Sequence, residues 1–398
     1  MATALPDSEY EDRLAAVRDR IAESEADAGV WFGATSIGYL TGFHHIQTER
    51  PVMLAVTPER IGITVPRLEV ERVETNGFID RVDHYFDYPG GKPIETAAGM
   101  LADWNVESVR ADADGAPGVM GYEGPALSDF VDVESQSWVD RMRWAKSDAE
   151  VDLIRESARW ANLGHRYLAE YTELGAHPAT VSQRASLEAS RAMLDTLGDR
   201  YVPTTRGDGP VHAGYITGPQ TALPHGHTAN RRLERGDVLI TGATANVDHY
   251  YSELERTMFV GEASAEDEHY FELMCEAQST AIEAMGPGVE LAAVDQAVAE
   301  YCAEQNVTDL LQHHVGHNIG LGGHEPPYID RGWGDHCEER ESRDGADAVM
   351  EPGHVYTIEP GLYTETAGYR HSDTVLVTDS GTERLTYFPR DLESNVVQ

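Results

Sequence analysis

The chain has 398 residues, enough for two domains with developed cores. Its 30 Lys and Arg face 69 Asp and Glu, a formal charge of −39, which argues against nucleic acid or anionic membrane as a partner. Lysine occurs only at Lys92 and Lys146, and the acid excess runs along the whole chain, as on a surface that stays hydrated in a halophilic cytoplasm.

From Tyr10 to Ala28, Leu14, Val17 and Ile21 recur at helical spacing with charges between them. GVWFGATSIGYLTGF (29–43) then reads as a strand, a small-residue turn and a second buried segment. PVMLAVTPERIGITVPRLEV (51–70) predicts a hairpin of two apolar strands turned at Thr57 to Arg60, and strand–helix alternation continues to about Val133. Ser147, with Glu150 three residues on, forms a capping-box pattern that opens a long amphipathic helix to about Tyr171. A second helix covers His177 to Leu197, strands and Gly-rich turns follow from Tyr201, and a helical pair spans Ser264 to Met285 and Leu291 to Glu304. The polar, strongly charged stretch from Gly332 to Asp347 predicts a solvent-facing loop. Cys275, Cys302 and Cys337 are odd in number and widely spaced, the pattern of a reducing cytosol rather than a disulfide framework. No apolar run reaches the ~18 residues that span a bilayer, and the first residues lack the basic and apolar regions of a secretory signal.

The chemistry concentrates in the second half. The blocks are ALPHGHTANRRLERGD (222–237), GDVLITGATANVDHYYSELERTMFVG (236–261), HHVGHNIGLGGHEPP (313–327), EPGHVYTIEPGLY (351–363) and GYRHSDTVLVT (368–378). Glu253 and Glu255, two apart in an extended strand, share one face. A carboxylate cluster in a partly buried cleft suits a cation and raises the pKa of at least one member, and an imidazole beside it can pass protons to a leaving nitrogen.

In that order and at those spacings the blocks resemble the C-terminal catalytic domain of peptidase family M24, the pita-bread family. It holds Xaa-Pro dipeptidases, aminopeptidase P, methionine aminopeptidases and creatinase. GYLTGF (38–43) and VPRLE (65–69) look like signatures of the creatinase-type N-terminal domain. The resemblance implies an α/β N-terminal creatinase-type domain over residues 8–140, followed by an α+β pita-bread catalytic domain over 141–398, in a homodimer. Metallopeptidases of the family bind two ions through two Asp, one His and two Glu. Here Gly242 stands at the first Asp position, Glu253 at the second and Ser372 at the last Glu position, while His317 and Glu359 are retained. Creatinase, which has lost its metals, carries a similar "LERT" segment. The likeness implies that Glu255 binds and polarises a cationic substrate, that His225 is the proton-transferring histidine and that His324 and Glu359 contact substrate. By the same resemblance, Arg343 and Arg50 are candidate clamps for a substrate carboxylate, Arg50 reaching over from a partner subunit.

The expected function is therefore hydrolysis of an amide or amidino C–N bond in a small zwitterionic compound or dipeptide, without a dinuclear metal centre and with no cofactor. One alternative is an Xaa-Pro dipeptidase or aminopeptidase that holds a single Mn, Zn, Co or Fe ion on Glu253, His317 and Glu359. Another is a catalytically inactive binding paralogue.

Overall fold

The computed structural model describes residues 2–115, 121–204, 209–334 and 348–398. The chain divides into two compact units, Pro6–Arg143 and Trp144–Gln398, the latter together with Met1–Leu5. Among the described residues no helix is long and apolar enough to cross a membrane.

In the first unit, strands β1 (Ala28–Trp31), β2 (Met53–Val56), β3 (Ile61–Pro66), β4 (Arg81–Tyr85), β5 (Ser108–Ala111) and β6 (Asp132–Ser135) form one sheet in the order β4-β3-β2-β1-β5-β6. The β2–β3 hairpin turns at Thr57 to Arg60, where the Thr57 hydroxyl accepts the backbone N–H groups of Glu59 and Arg60 at 3.3 and 3.0 Å. Helix α1 (Asp7–Glu23) buries Leu14, Val17 and Ile21, the stripe predicted by their spacing. The second buried segment is helix α2 (Ala34–Thr41), which stops at Gly42, whose φ of 70° is the left-handed C-terminal cap that glycine adopts without strain. Short α3 (Val70–Val73), α4 (Pro93–Asp103) and α5 (Trp138–Met142) complete this unit.

The second unit opens with α6 (Asp148–Tyr171). Ser147 Oγ accepts the Glu150 N–H at 3.2 Å and Glu150 Oε2 accepts the Ser147 N–H at 3.0 Å, the reciprocal cap expected there. Helices α7 (Pro178–Leu197), α8 (Ala265–Ala284) and α9 (Leu291–Glu304) follow. The main sheet is built from β7 (Val211–Thr217), β8 (Val238–Val247), β9 (Tyr250–Val260), β10 (Gly316–Asn318), β11 (Glu325–Ile329), β12 (Val355–Ile358) and β15 (Ser372–Thr378), in the order β11-β10-β12-β15-β9-β8-β7. β13 (Gly361–Tyr363) pairs with β14 (Gly368–Arg370), while β16 (Gly381–Arg384) and β17 (Val396–Val397) add to β15 and β9.

Period-two alternation divides the sheet into two faces. Ala213, Tyr215, Leu239, Ala243 and Met258 pack with Ala161 and Leu168 of α6 and Val181 and Ala185 of α7. Tyr356, Ile358, Val375 and Val377 pack with Met274 and Ala277 of α8 and Leu291, Val294 and Val298 of α9. Each large aliphatic side chain so buried contributes about 1.5–3 kcal/mol relative to exposure. The alternate residues, including Gly242, Glu253 and Glu255, line a cavity on the other face.

Candidate active site

The site is set by one tight turn. Asp248 and His249, with φ of 49° and 69°, form a two-residue left-handed loop between β8 and β9. That loop fixes the register: Thr244 faces Glu253 and Gly242 faces Glu255. Gly242 and Glu253 are therefore diagonal neighbours across the ladder, not a directly facing pair. On its other side Glu255 pairs with Ser372 of β15, so Gly242 and Ser372, the two positions at which the resemblance implies a lost ligand, flank Glu255 in one row.

A β-carbon at Gly242 would lie 3.6 Å from Glu255 Oε1, so the Glu255 carboxylate occupies the space beside that position. It is not free. Arg370 grips it through two parallel bonds, Nε to Oε2 at 2.6 Å and Nη2 to Oε1 at 2.8 Å. The same guanidinium donates to the Tyr363 hydroxyl at 3.0 Å and to the Pro224 carbonyl at 3.1 Å, and its Nε lies 3.9 Å from Glu359 Oε2. Arg370 thus ties Glu255 to the turn that carries His225.

Next to this row, Glu253, His317 and Glu359 each offer a donor atom within 4.8 Å of the others. The Ser372 hydroxyl donates to Glu253 Oε1 at 2.7 Å, and Thr357 Oγ1 donates to Glu359 Oε1 at 3.0 Å. His317 Nδ1 donates to the Asn318 carbonyl at 3.0 Å, which leaves Nε2 facing Glu359 Oε1 at 3.1 Å. Buried Lys146 donates to the Asn318 side chain and anchors the strand beneath His317.

Electrostatics push the two carboxyls apart. Burial, then the charges of Glu359 and Glu255, raise Glu253 well above the carboxylate range. Burial also opposes ionisation of Glu359, but the His317 hydrogen bond and the Arg370 charge outweigh it and hold Glu359 ionised. Burial opposes a charge on His317 too, and its bond to Glu359 prevails and raises it. With Glu253 neutral, two carboxylates (Glu255, Glu359) balance two cations (Arg370, His317). Carboxyls separated in this way are the signature of assigned acid and base roles.

His324 stacks on His317, ring centroids 3.8 Å apart, and burial followed by the His317 charge lowers its pKa. It is an exposed, neutral imidazole at the rim, near enough to His225 for that ring to act on its titration. His225 and His227 are both exposed. His313 bonds the Tyr363 hydroxyl at 2.9 Å. His371, between β14 and β15, is fully buried against Phe271, and His354 is buried with the Tyr356 hydroxyl at 2.8 Å. Arg50 pairs within its own unit with Asp87 at 2.6 Å and Glu49 at 2.8 Å. Arg343 lies outside the described residues. Arg370, Tyr363 and Thr357 were not singled out for roles from sequence; Arg370 and Glu255 lie 115 positions apart, and nothing local marks them as partners.

The donor set suits one divalent ion. His317 Nδ1 is already committed to a backbone carbonyl, leaving Nε2 to face a metal, and two carboxylates complete three ligands of suitable chemistry. A second ion does not fit. Gly242 has no donor, Ser372 has only a hydroxyl engaged with Glu253, and the Arg370 guanidinium stands between Glu255 and Glu359.

The comparisons agree with this architecture. The chain is 27% identical over 384 residues to an uncharacterized peptidase of Staphylococcus aureus, covering 95% of this chain and 99% of that one. It is 36% identical over 177 residues to a Xaa-Pro dipeptidase of Pyrococcus furiosus, covering 44% and 47%. The fold matches the Xaa-Pro dipeptidase from Bacillus anthracis with a TM-score of 0.79 at 20% identity, over 98% and 100% of the chains. It matches the dipeptidase PepE from Mycobacterium ulcerans with a TM-score of 0.78 at 25% identity, over 99% of each. Residues 13–143 match the creatinase/prolidase N-terminal domain and residues 152–379 match metallopeptidase family M24. An α/β creatinase-type domain thus precedes an α+β pita-bread domain, and the chain belongs to metallopeptidase family M24, a family of hydrolases.

Proposed function

We propose that this protein hydrolyses a C–N bond in a dipeptide or a similarly small zwitterionic compound, without a dinuclear metal centre. The observation that carries the reading is the row Gly242–Glu255–Ser372: both substituted ligand positions flank a carboxylate that an internal arginine already neutralises. The Glu255–Arg370 pair acts as a fixed strut in this scheme, not as a free anion waiting for a substrate cation. Glu359, ionised and bonded to His317, orients an attacking water or the substrate ammonium. Neutral Glu253 supplies a proton to developing negative charge, while the neutral imidazole of His324 takes the proton that the attacking water loses and, with His225, passes it to the leaving nitrogen. Xaa-Pro dipeptides are the first substrates to try, given the names of the relatives.

A second reading, a single-ion dipeptidase, is favoured by one observation: the Glu253, His317 and Glu359 donors lie within 4.8 Å of one another. Bound there, an ion would polarise the scissile carbonyl and lower the pKa of a water. In that state His317 presents Nε2 unprotonated while Asn318 still fixes its ring.

Elemental analysis of protein purified without added metal, paired with turnover of an Xaa-Pro and small-amide panel before and after chelation, separates the readings. At most one equivalent and chelation-resistant turnover supports the first. One equivalent and activity abolished by chelation supports the second. Two tightly held equivalents would sink both.

A further inference from the structure

Only two of the 30 basic residues are lysines, and one of them, Lys146, is buried in the second unit. In a chain that uses arginine almost everywhere else, a single sealed ammonium points to a task that a guanidinium cannot perform. Its Nζ donates to Asn318 Oδ1 and, at 3.3 Å, to the Trp144 carbonyl, and it lies 3.9 Å from Glu325 Oε1. The Lys146 and Glu325 side chains are 1% and 5% exposed. Gly320 reserves their space, since a β-carbon there would come within 2.6 Å of Glu325 Oε1 and 2.8 Å of Lys146 Cε. With so little spare volume, a compact ammonium suits this place and a broad guanidinium fork does not.

What the ammonium holds is Asn318, itself fully buried and next in sequence to His317. Lysine can only donate, so it dictates which way the amide faces: Oδ1 to Lys146 and Nδ2 to the Trp144 carbonyl at 3.1 Å. The main-chain carbonyl of the same Asn318 accepts His317 Nδ1 at 3.0 Å. The strand ladder gives little support at this point. His317 pairs with Tyr328 and Asn318 with Glu325, so one step on β10 spans three on β11. Such a slip re-aims a side chain but disrupts the ladder that would otherwise fix it. The amide clamp replaces that support.

We propose that Lys146 is a positioning residue for His317. By locking the Asn318 amide it fixes the carbonyl that orients the imidazole, and so holds Nε2 against Glu359 without itself touching substrate. The inference rests on the hydrolytic reading, in which His317 and Glu359 act together.

The test compares full-length wild type with Lys146→Met, Asn318→Ala and the double variant, by kcat and KM on Xaa-Pro dipeptides and by NMR of protein labelled with ¹⁵N-histidine. The imidazole N–H that His317 donates to Asn318 should give a downfield proton signal, assigned by its loss in His317→Gln. Misplacing a reacting group by about 1 Å can cost about 100-fold, so Lys146→Met should lower kcat by about ten- to a hundredfold while KM stays within a few-fold. Because both substitutions open one clamp, the double variant should be no worse than the poorer single one, and the His317 signal should shift or broaden in all three. Should Lys146→Met fail to fold, Lys146→Met/Glu325→Gln takes its place, since it leaves no buried charge unmatched. If wild type turns over no dipeptide, the hydrolytic reading fails, and the His317 signal alone then decides the positioning. A Lys146→Met protein that melts lower yet keeps both the wild-type kcat and the His317 signal would overturn the proposal, as would a loss confined to KM or losses that add in the double variant.

Discussion

Glu255 stands across the β8–β9 ladder from Gly242, and its carboxylate occupies the space beside that glycine. A charge absent from one strand is thus resupplied by the next, where Arg370 receives it. Removing one member of this pair leaves a buried ion unmatched, which typically costs ~3–5 kcal/mol, whereas removing both costs far less. Arg370→Met should therefore destabilise the protein strongly, Glu255→Gln less, and the double variant less than the sum. Urea melts of the three proteins give the coupling directly. Additive losses would show that the two side chains do not act as a pair.

His225 and Glu255 should separate in kinetics. Proton transfer contributes ~10²–10⁴-fold, so His225→Ala should lower kcat by that order with KM changed only a few-fold. Glu255→Gln breaks the strut that holds the His225 turn through Arg370 and Pro224, so kcat and KM should both change. If Glu255→Gln is indistinguishable from wild type while His317→Ala is dead, the strut has no part in turnover and the three-donor centre alone carries the reaction.

Much of this was legible before the structure. The helical stripe Leu14–Val17–Ile21, the Ser147–Glu150 cap and the Thr57–Arg60 turn are local patterns, and local patterns survive folding. Grouping Glu253, His317 and Glu359 came from ordered motifs. The register around Gly242 was not legible because it depends on the Asp248–His249 turn taking a two-residue left-handed form without any glycine. The Arg370–Glu255 grip and the facing of Gly214 with Gly242 were illegible for a different reason. Both follow from strand pairing between separate segments, and one sequence does not state which strands meet or in what register.

Acid should destabilise the fold through buried histidines. Burial, followed by a nearby positive charge, lowers His165 and His354 to about 3, the charge being Arg256 for the first and Lys146 for the second. His371 is lowered as well, by burial and then by Arg256. The unfolded chain, with ordinary values near 6.5, binds more protons than the native state between those limits. Stability is therefore complete above about pH 6.5 and falls as pH drops through that window, each residue adding a slope of up to ~1.4 kcal/mol per pH unit. His165 bonds Thr241 Oγ1 at 2.6 Å, a contact that glutamine can keep without titrating. His165→Gln should flatten the dependence of urea stability on pH, between about pH 6 and 5, by close to one proton. An unchanged slope would show that His165 is not held neutral in the native state.

Salt provides the last test, and its shape matters more than its sign. A formal charge of −39 repels itself across the surface, and the range of that repulsion falls from ~10 Å at 0.1 M salt to ~3 Å at 1 M. The melting temperature should therefore rise as KCl increases from low levels. If screening is the cause, most of the gain should come below about 1 M, where the screening length changes most, and then level off. Continued growth into multimolar salt would instead implicate hydration or specific cation binding by the acidic surface. A flat or falling melting temperature across the whole range would refute adaptation to salt and leave the acid excess without a role in stability.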